Sequence, residues 1–374
     1  MPVQTTSIPG KRPVRALTTT IAVGVVSGLA LTACSSSGST GSGGNGGGGT
    51  IKTDGKPPAE ALAAAVHNIS SGKAESFQLS LKPDDAAIAA MNKESSKEDA
   101  AIAKALLGNG GIVVKFTVSS DKPLKDLKAD ETPNVDMSVT AGGTDFVDLR
   151  SVGGALYFKA NVPQILQLSG KSTADVTAAM GEIPPAFQAP VQALVAGKWI
   201  GVSAQDLKGL EQMAKSMGGG DLGSATPTAP DTKMLAGMEA SLMKALTQDA
   251  TVTDKGSGKY EVTGKVKVIG QDILQAISPA LTSVPGKSKA DLDKLRESLN
   301  DVPDSQTVTF DVWLKNNQIS ELQLDLAQFA PKDQTGGGHL PLDAKFSQDA
   351  AKVSAPDGVT NVDLQKLMGS LGGA

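Results

Sequence analysis

Aromatic residues make up only 3% of this 374-residue chain, and histidine and cysteine are scarcer still. So few rings argue against a surface on which sugars or nucleic-acid bases stack. The two histidines, His67 and His339, are too few for a His-rich metal site or for most Ser-His-Asp arrangements. The single cysteine, Cys34, has no partner for a disulfide within the chain. The fold is therefore stabilised by its hydrophobic core. At 40% hydrophobic residues, most of them aliphatic, the chain has enough apolar side chains to form one.

Motifs that predict catalysis are incomplete. Gly-Lys-Ser occurs at 170–172 and 286–288, but a phosphate-binding loop needs a glycine where this chain has Ile165 and Leu281. Ser-x-x-Lys matches lack the companion motifs of penicillin-interacting enzymes. Carboxylates are plentiful but scattered. We therefore expect that the protein is not an enzyme and that it holds no metal.

The net charge is also informative. It is −4, and no Lys/Arg-rich face is evident, so nucleic acid is not an expected partner.

The first 34 residues have the order of an export signal. Cationic Lys11, Arg12 and Arg15 precede an uncharged apolar segment, 21–31, and small residues then lead to Cys34. A positive start, an apolar middle and a small-residue cleavage site are the parts of a secretory signal peptide. The segment from 16 to 33 is about long enough for an uncleaved anchor helix, but its threonines, serine and glycines disfavour it, since a spanning helix needs roughly 20 mostly apolar residues. A stray or buried thiol at Cys34 is the other alternative.

The residues before the cysteine resemble the lipobox of bacterial lipoproteins, Leu-[Ala/Ser/Thr]-[Gly/Ala]-Cys, with Leu31, Thr32, Ala33 and Cys34 in its four places. The resemblance implies that residues 1–33 are removed and that Cys34 carries a diacylglycerol and a fatty acyl group. The loss of three cationic residues and no anionic one would change the net charge from −4 to −7.

A Gly/Ser-rich tether, 34–56, follows the cysteine. Its residues 35–50 would reach roughly 20–25 Å as a random coil, enough to lift a domain off the lipid headgroups. We expect one folded domain over 57–374. Within it, 84–107 is predicted to be a helical insert with Asp84 as N-cap, and 218–230 a flexible loop, because it is rich in Gly and Pro.

The remaining sequence predicts helices and antiparallel strands. A helix over 58–71 has the apolar stripe Leu62, Ala65, Val66 and Ile69 and would be capped by Gly72. Apolar residues then alternate with polar ones at 77–81, 112–118, 135–139, 156–158 and 260–268, with a short strand at 198–203. Helices are expected at 161–196, 204–217, 231–248, 270–278 and 288–300. Strands with one apolar face predict an α+β fold in which helices cover one side of the sheet.

The strongest hairpin signal lies at 307–326. Asn316-Asn317 suits a type I′ turn, which needs two positive φ angles. The apolar residues of the two strands have opposite parity about this turn, so a bulge near Ser320-Glu321 is required to bring them to one face.

The order of these segments is similar to that of the actinobacterial LppX/LprG-type lipoproteins, relatives of the LolA and LolB lipoprotein carriers. The resemblance covers roughly 111–360 and is carried by 152–158 (VGGALYF), 196–200 (AGKWI), 308–326 and 352–356 (KVSAP). It implies a strongly curved antiparallel half-barrel, with helices packed on the concave face and an apolar cavity between them. The residues expected to line that cavity are Phe116, Val118, Met137, Val139, Leu156, Phe158, Val262, Val266, Phe310 and Val312.

Two functions remain open at this point. One is a monomeric lipoprotein on the outer face of the cytoplasmic membrane that binds or carries the acyl chain of a lipid or glycolipid. The alternative is a non-catalytic anchored scaffold or sensor that binds a protein or cell-envelope partner.

Replacing the cysteine tests the anchor. Cys34→Ala is expected to leave an unprocessed precursor that incorporates no labelled palmitate, because the acyl acceptor is gone. Metabolic labelling and the intact mass of the membrane fraction measure both effects. Normal maturation of the variant would refute the lipobox interpretation.

Overall fold

The computed structural model describes residues 52–68, 72–93, 95–128, 131–183, 185–209, 244, 248–272, 274, 289–329 and 335–363. Cys34, the lipobox, the loop 218–230 and almost all of the predicted helix 231–248 lie outside these residues.

The strands form one mixed α+β architecture around a single large sheet. Twelve strands are ordered β12-β6-β5-β4-β3-β2-β1-β11-β10-β9-β8-β7, in a sheet that is curved and does not close. Neighbours are antiparallel except for β12, which runs parallel to β6. The strands are β1 (Ala74–Leu81), β2 (Ile112–Ser119), β3 (Asn134–Ala141), β4 (Thr144–Val152), β5 (Ala155–Ala160), β6 (Ile200–Val202), β7 (Ala250–Gly256), β8 (Lys259–Lys265), β9 (Thr307–Lys315), β10 (Gln318–Asp325), β11 (Pro341–Ser347) and β12 (Thr360–Asn361).

Strand β1 joins the two halves of the chain. It pairs with β2 on one side and with β11, more than 200 residues later, on the other. The parts of the chain before and after the loop 218–230, its two halves, therefore contribute to one sheet.

Helices occupy the connections. They are α1 (Pro58–His67), Asp85–Met91, Lys97–Leu107, Val162–Leu168, Thr173–Ala179, Pro185–Val195 and Lys289–Asn300, with short 3₁₀ turns at Leu124–Asp126, Met180–Glu182 and Leu326–Phe329. The predicted insert 84–107 is a helical pair, and the Asp84 side chain accepts a hydrogen bond from Ala87 N at 2.8 Å, so the predicted N-cap is confirmed.

Strand alternation gives the sheet two unlike faces. We call the side that carries Phe77, Phe116 and Val262 the apolar face, and the side that carries Lys115 and Lys259 the polar face. Cross-strand ion pairs follow the polar face: Lys255–Glu261 and Lys259–Asp311 at 2.9 Å, and Lys345–Glu321 at 3.6 Å. Partly exposed pairs of this kind suit a hydrated surface and contribute little to stability.

The predicted hairpin is confirmed in detail. Asn316 and Asn317 have φ of 54° and 63°, and Lys315 pairs with Gln318. The register shifts between Ile319 and Glu321, so Leu322 comes to pair with Val312. The bulge therefore repairs the parity of the return strand, as the sequence requires.

Two boundary predictions are wrong. Val266 and Val268 do not continue β8, because the chain is helical from 266 and Val266 N bonds Gln306 O at 3.0 Å. Packing overrides β propensity here: Val266 is 5% exposed, in a core cluster with Val302 and Val308. Helix α1 ends at His67 with Asn68 as its cap, and not at Gly72.

The segment after β11 crosses the sheet. Residues 349–363 run to the β6 edge, where Val362 N donates to Gly201 O at 2.7 Å. On the way, Val353 N donates to Ser119 Oγ at 2.9 Å. At Gly201 a Cβ would lie 2.6 Å from Val359 Cγ1, so only glycine allows this close approach.

Replacing a turn residue tests how the N-terminal segment is held. Asn317 Oδ1 accepts hydrogen bonds from Thr53 N and Thr53 Oγ1 at 2.8 and 2.9 Å. Asn317→Gly keeps the positive φ but loses both bonds, so we expect the free energy of unfolding to fall by about 1–2 kcal/mol. Urea denaturation measures it. Asn316→Gly, at an exposed position of the same turn, is the matched control. An equal effect of the two variants would contradict the assignment.

Candidate ligand-binding face

The apolar face brings together nine of the ten residues predicted to line a cavity. The strand registers place Phe116, Val118, Met137, Val139, Leu156, Phe158, Val262, Phe310 and Val312 on this face. The tenth, Val266, lies in the helical segment after β8 and packs into the core beside the face. One row of it runs Phe77, Phe116, Met137, Leu149, Phe158 and Ile200 across six neighbouring strands.

One half of the apolar face, on β7 to β11, is covered. Helix α1 buries Leu62, Ala65 and Val66 against a cluster that includes Val262 and Val312. Leu62 is 0% exposed, and full burial of such a side chain stabilises by about 1.5–3 kcal/mol. A second cluster continues toward β1 and contains Phe77, whose ring centroid lies 5.2 Å from that of Phe346.

The other half, on β2 to β6, is covered less completely. Phe116, Met137, Val139, Leu156 and Phe158 are only half-buried, and none belongs to either cluster of described residues. By contrast, Val118, Val262, Val266 and Val312 are at most 5% exposed and form ordinary core. The predicted lining thus divides into a core group, against which Phe310 packs, and a half-buried group.

The half-buried group has further members that sequence reasoning missed. Val147 and Leu149 of β4 and Ile200 of β6 share the face with Phe158. The alternation of Val147 and Leu149 with Asp148 and Arg150 was the signal for β4, but apolar Phe146 and Val152, on the side of the charged residues, obscured it.

A separate cleft of about 560 Å³ lies at the end of β4 and β5. Asp145, Asp148, Lys159 and Asn161 contribute its polar groups. Burial raises the pKa of Asp148, while Lys159, 3.7 Å away, opposes the shift. Asp145 already accepts a hydrogen bond from Thr140 at 2.9 Å. The carboxylates of this cleft are thus engaged within the chain.

The Trp199 ring, near that cleft, makes cation–π contacts with two basic side chains. The Arg150 guanidinium lies 4.9 Å from the ring centroid of Trp199 and the Lys159 ammonium lies 5.9 Å from it. Arg150 also bonds Asp136 at 3.2 Å. These contacts fix the ring at the β6 edge, where Trp199 O accepts from Thr360 N at 2.9 Å.

His339 lies in a polar network at the opposite end of the apolar face from Glu75. Its Nδ1 is 2.7 Å from Asp325 Oδ2, and its backbone N donates to Asp84 Oδ2 at 2.8 Å. The hydrogen bond and charge of Asp325 raise the pKa of His339. Burial acts to raise the pKa of Asp325, but bonds from His339, Leu340 N and Ala327 N outweigh it and the pKa is lowered. The network ties the loop before β11 to the start of helix Asp85–Met91.

Among the described residues, no three His, Cys, Asp or Glu side chains are grouped so as to hold a metal ion. The helices of this part of the chain are all too short or too polar to cross a bilayer.

Comparison with protein-family models and with curated proteins finds no match to this sequence. The function is therefore inferred from the physical features of the sheet.

The His339 network predicts a pH dependence. We expect His339 to titrate above 6.5 in an NMR pH titration, because Asp325 favours the imidazolium. A raised folded-state pKa means that the contribution of His339 to stability is full below its unfolded-state value of about 6.5 and is lost as the pH rises through the folded-state value. The lowered pKa of Asp325 acts with the opposite sign, so the contribution of the pair is also lost as the pH falls through the folded-state pKa of Asp325. Asp325→Asn should return the midpoint toward its ordinary value. A wild-type midpoint at or below 6.5 would contradict the ion pair.

Proposed function

We propose that this protein is a membrane-anchored extracytoplasmic lipoprotein that binds or carries a lipid acyl chain on the apolar face of its sheet. The single observation that carries the proposal is the half-buried group on β2, β3 and β5: Phe116, Met137, Val139, Leu156 and Phe158. Contiguous apolar surface left partly open on a folded chain is a recurring mark of a binding site.

The energetics favour an acyl chain as the occupant. Each buried methylene contributes about 0.8 kcal/mol, so an apolar strip is sufficient and no catalytic group is needed. This half-buried group, called the strip below, extends across the four strands β2 to β5, a width of about 14 Å at the usual strand spacing. Because its side chains are aliphatic or phenyl groups, it offers no hydrogen bonds that would select a polar ligand along its length.

The proposed shape follows from the same features. A curved, unclosed sheet with helix α1 packed on its apolar side is consistent with a LolA-like half-barrel whose concave face is the apolar one. The resemblance to LppX/LprG-type lipoproteins in sequence order implies the same architecture. In this interpretation helix α1 covers one half of the concave face, and the other half is left for a ligand.

The proposed lipid anchor determines where the protein would encounter such a ligand. Two acyl signals on Cys34 would hold the chain stably on the membrane, whereas a single chain gives only marginal binding. The Gly/Ser tether would then let the monomeric sheet reach lipid at the outer face of the cytoplasmic membrane. No additional cofactor is needed for this function.

A charge placed on the strip tests the proposal. Met137→Lys puts an ammonium group in the middle of the half-buried row, so lipid that co-purifies with the full processed protein should fall by about tenfold or more. Native mass spectrometry measures it, because collisional activation removes a non-covalent lipid but leaves the covalent anchor. Met137→Trp, which fills space without adding charge, should also reduce occupancy in a folded protein.

The matched control is Ser138→Lys, one residue away on the polar face and beside Asp148. It should leave lipid occupancy unchanged. Wild-type protein that carries no non-covalent lipid and takes up no fluorescent acyl probe would sink the proposal and favour an anchored scaffold.

A further inference from the structure

The row of the apolar face at the Glu75 end contains two polar side chains. Its last row runs Glu75, Val118, Val135, Ser151, Leu156 and Val202 across β1 to β6. Glu75 is 4% exposed and Ser151 is 3% exposed. The next two rows on the same strands are entirely apolar: Phe77, Phe116, Met137, Leu149 and Phe158, then Leu79, Val114, Val139, Val147 and Ala160.

The Ser151 hydroxyl is unusual within this row. Its Oγ is buried and has no hydrogen-bond partner among the residues that the structure describes. Ser119, which is 0% exposed, shows the ordinary solution, because its Oγ accepts a bond from Val353 N at 2.9 Å. A buried hydroxyl without a partner destabilises a fold. Ser151 adjoins the half-buried row of Leu149 and Phe158, so a molecule bound on that row would supply a partner from outside the chain.

The length of the face suits acyl chains laid along the strands. From the row of Glu75 to the row of Leu81 is six residues, or about 20 Å at 3.4 Å per residue. One leaflet of a bilayer has an apolar depth of about 15 Å, half the hydrocarbon core. A tail that starts beside Ser151 therefore stays on the apolar rows over its whole length.

We propose that Ser151 is a specificity-determining residue that hydrogen-bonds the polar end of the bound lipid, with the acyl tail directed toward Leu81 and Ala141. The inference rests on the proposed lipid-binding function and adds an orientation to it. Because a serine hydroxyl both donates and accepts hydrogen bonds, it suits a head group that itself carries a hydroxyl. The expected ligand is therefore a lipid with a free hydroxyl at its head, such as a diacylglycerol.

The chain offers a matched control for this hydroxyl. Ser80 is 1% exposed, and its Oγ also lacks a partner among the described residues, but it lies on the polar face of β1. Ser80→Ala and Ser151→Ala thus remove the same group from equally buried sites on opposite sides of the sheet.

The test compares two probes on the full processed protein: a diacylglycerol and its methyl ether, which lacks the free hydroxyl. Wild-type protein should prefer the diacylglycerol by about 2- to 10-fold, the range of one net hydrogen bond. Ser151→Ala should bring that ratio close to one, and Ser80→Ala should leave it unchanged. Both variants should raise the denaturation midpoint of the lipid-free protein, since each removes an unpartnered buried hydroxyl.

The outcomes separate the two claims. If wild-type protein binds neither probe, the proposed function fails. If it binds both equally, or if Ser151→Ala keeps the preference, lipid binding stands and the role of Ser151 is overturned. A lower denaturation midpoint for lipid-free Ser151→Ala would also overturn it, because the hydroxyl would then have a partner within the chain.

Discussion

The fold depends on covering one apolar face of a single sheet. Twelve strands alternate apolar and polar side chains in register, so apolar side chains collect on one side of a sheet that does not close. With one cysteine in the chain, no intrachain disulfide can share the stabilisation. Hydrophobic burial on this face is therefore the main favourable term, and each element outside the sheet can be understood by what it does to that face. Pairing of β1 with both β2 and β11 makes the face continuous across the two halves of the chain.

The two halves of the apolar face are covered to different extents, and the proposed function is based on this difference. Helix α1 and the helical segment after β8 complete a core over β7 to β11, with Leu62 and Val266 buried at its centre. On β2 to β6, side chains such as Phe116 and Phe158 are only half-buried. The covered half supplies stability without a ligand, so the proposed exchange of an apolar occupant on the second half would cost the fold little. The polar face, with its paired charges, has the character of a hydrated exterior.

Sequence reasoning succeeded where the determinants are local. Asn316-Asn317 fixes the turn, and the parity of the flanking strands demands the bulge, so the hairpin follows from about twenty neighbouring residues. It failed at Val266, because β-branched alternation does not reveal that the ladder ends at Lys265 and that tertiary packing favours a helix. The β1–β11 pairing is a contact between distant segments that no local pattern specifies. Ser151 interrupts the apolar alternation, so its place on the apolar face appears only from the strand register.

The position of a bound acyl chain on the sheet distinguishes most directly between lipid binding on the apolar face and the alternatives. A fatty acid carrying a photoreactive diazirine midway along its chain can be cross-linked to the processed protein, and the adducts mapped by peptide mass spectrometry. The account predicts adducts at apolar-face residues of β2, β3 and β5, with Phe116, Met137 and Phe158 foremost. Adducts concentrated on polar-face positions such as Lys115 and Ser138, or none above the level of an unrelated soluble protein, would contradict it.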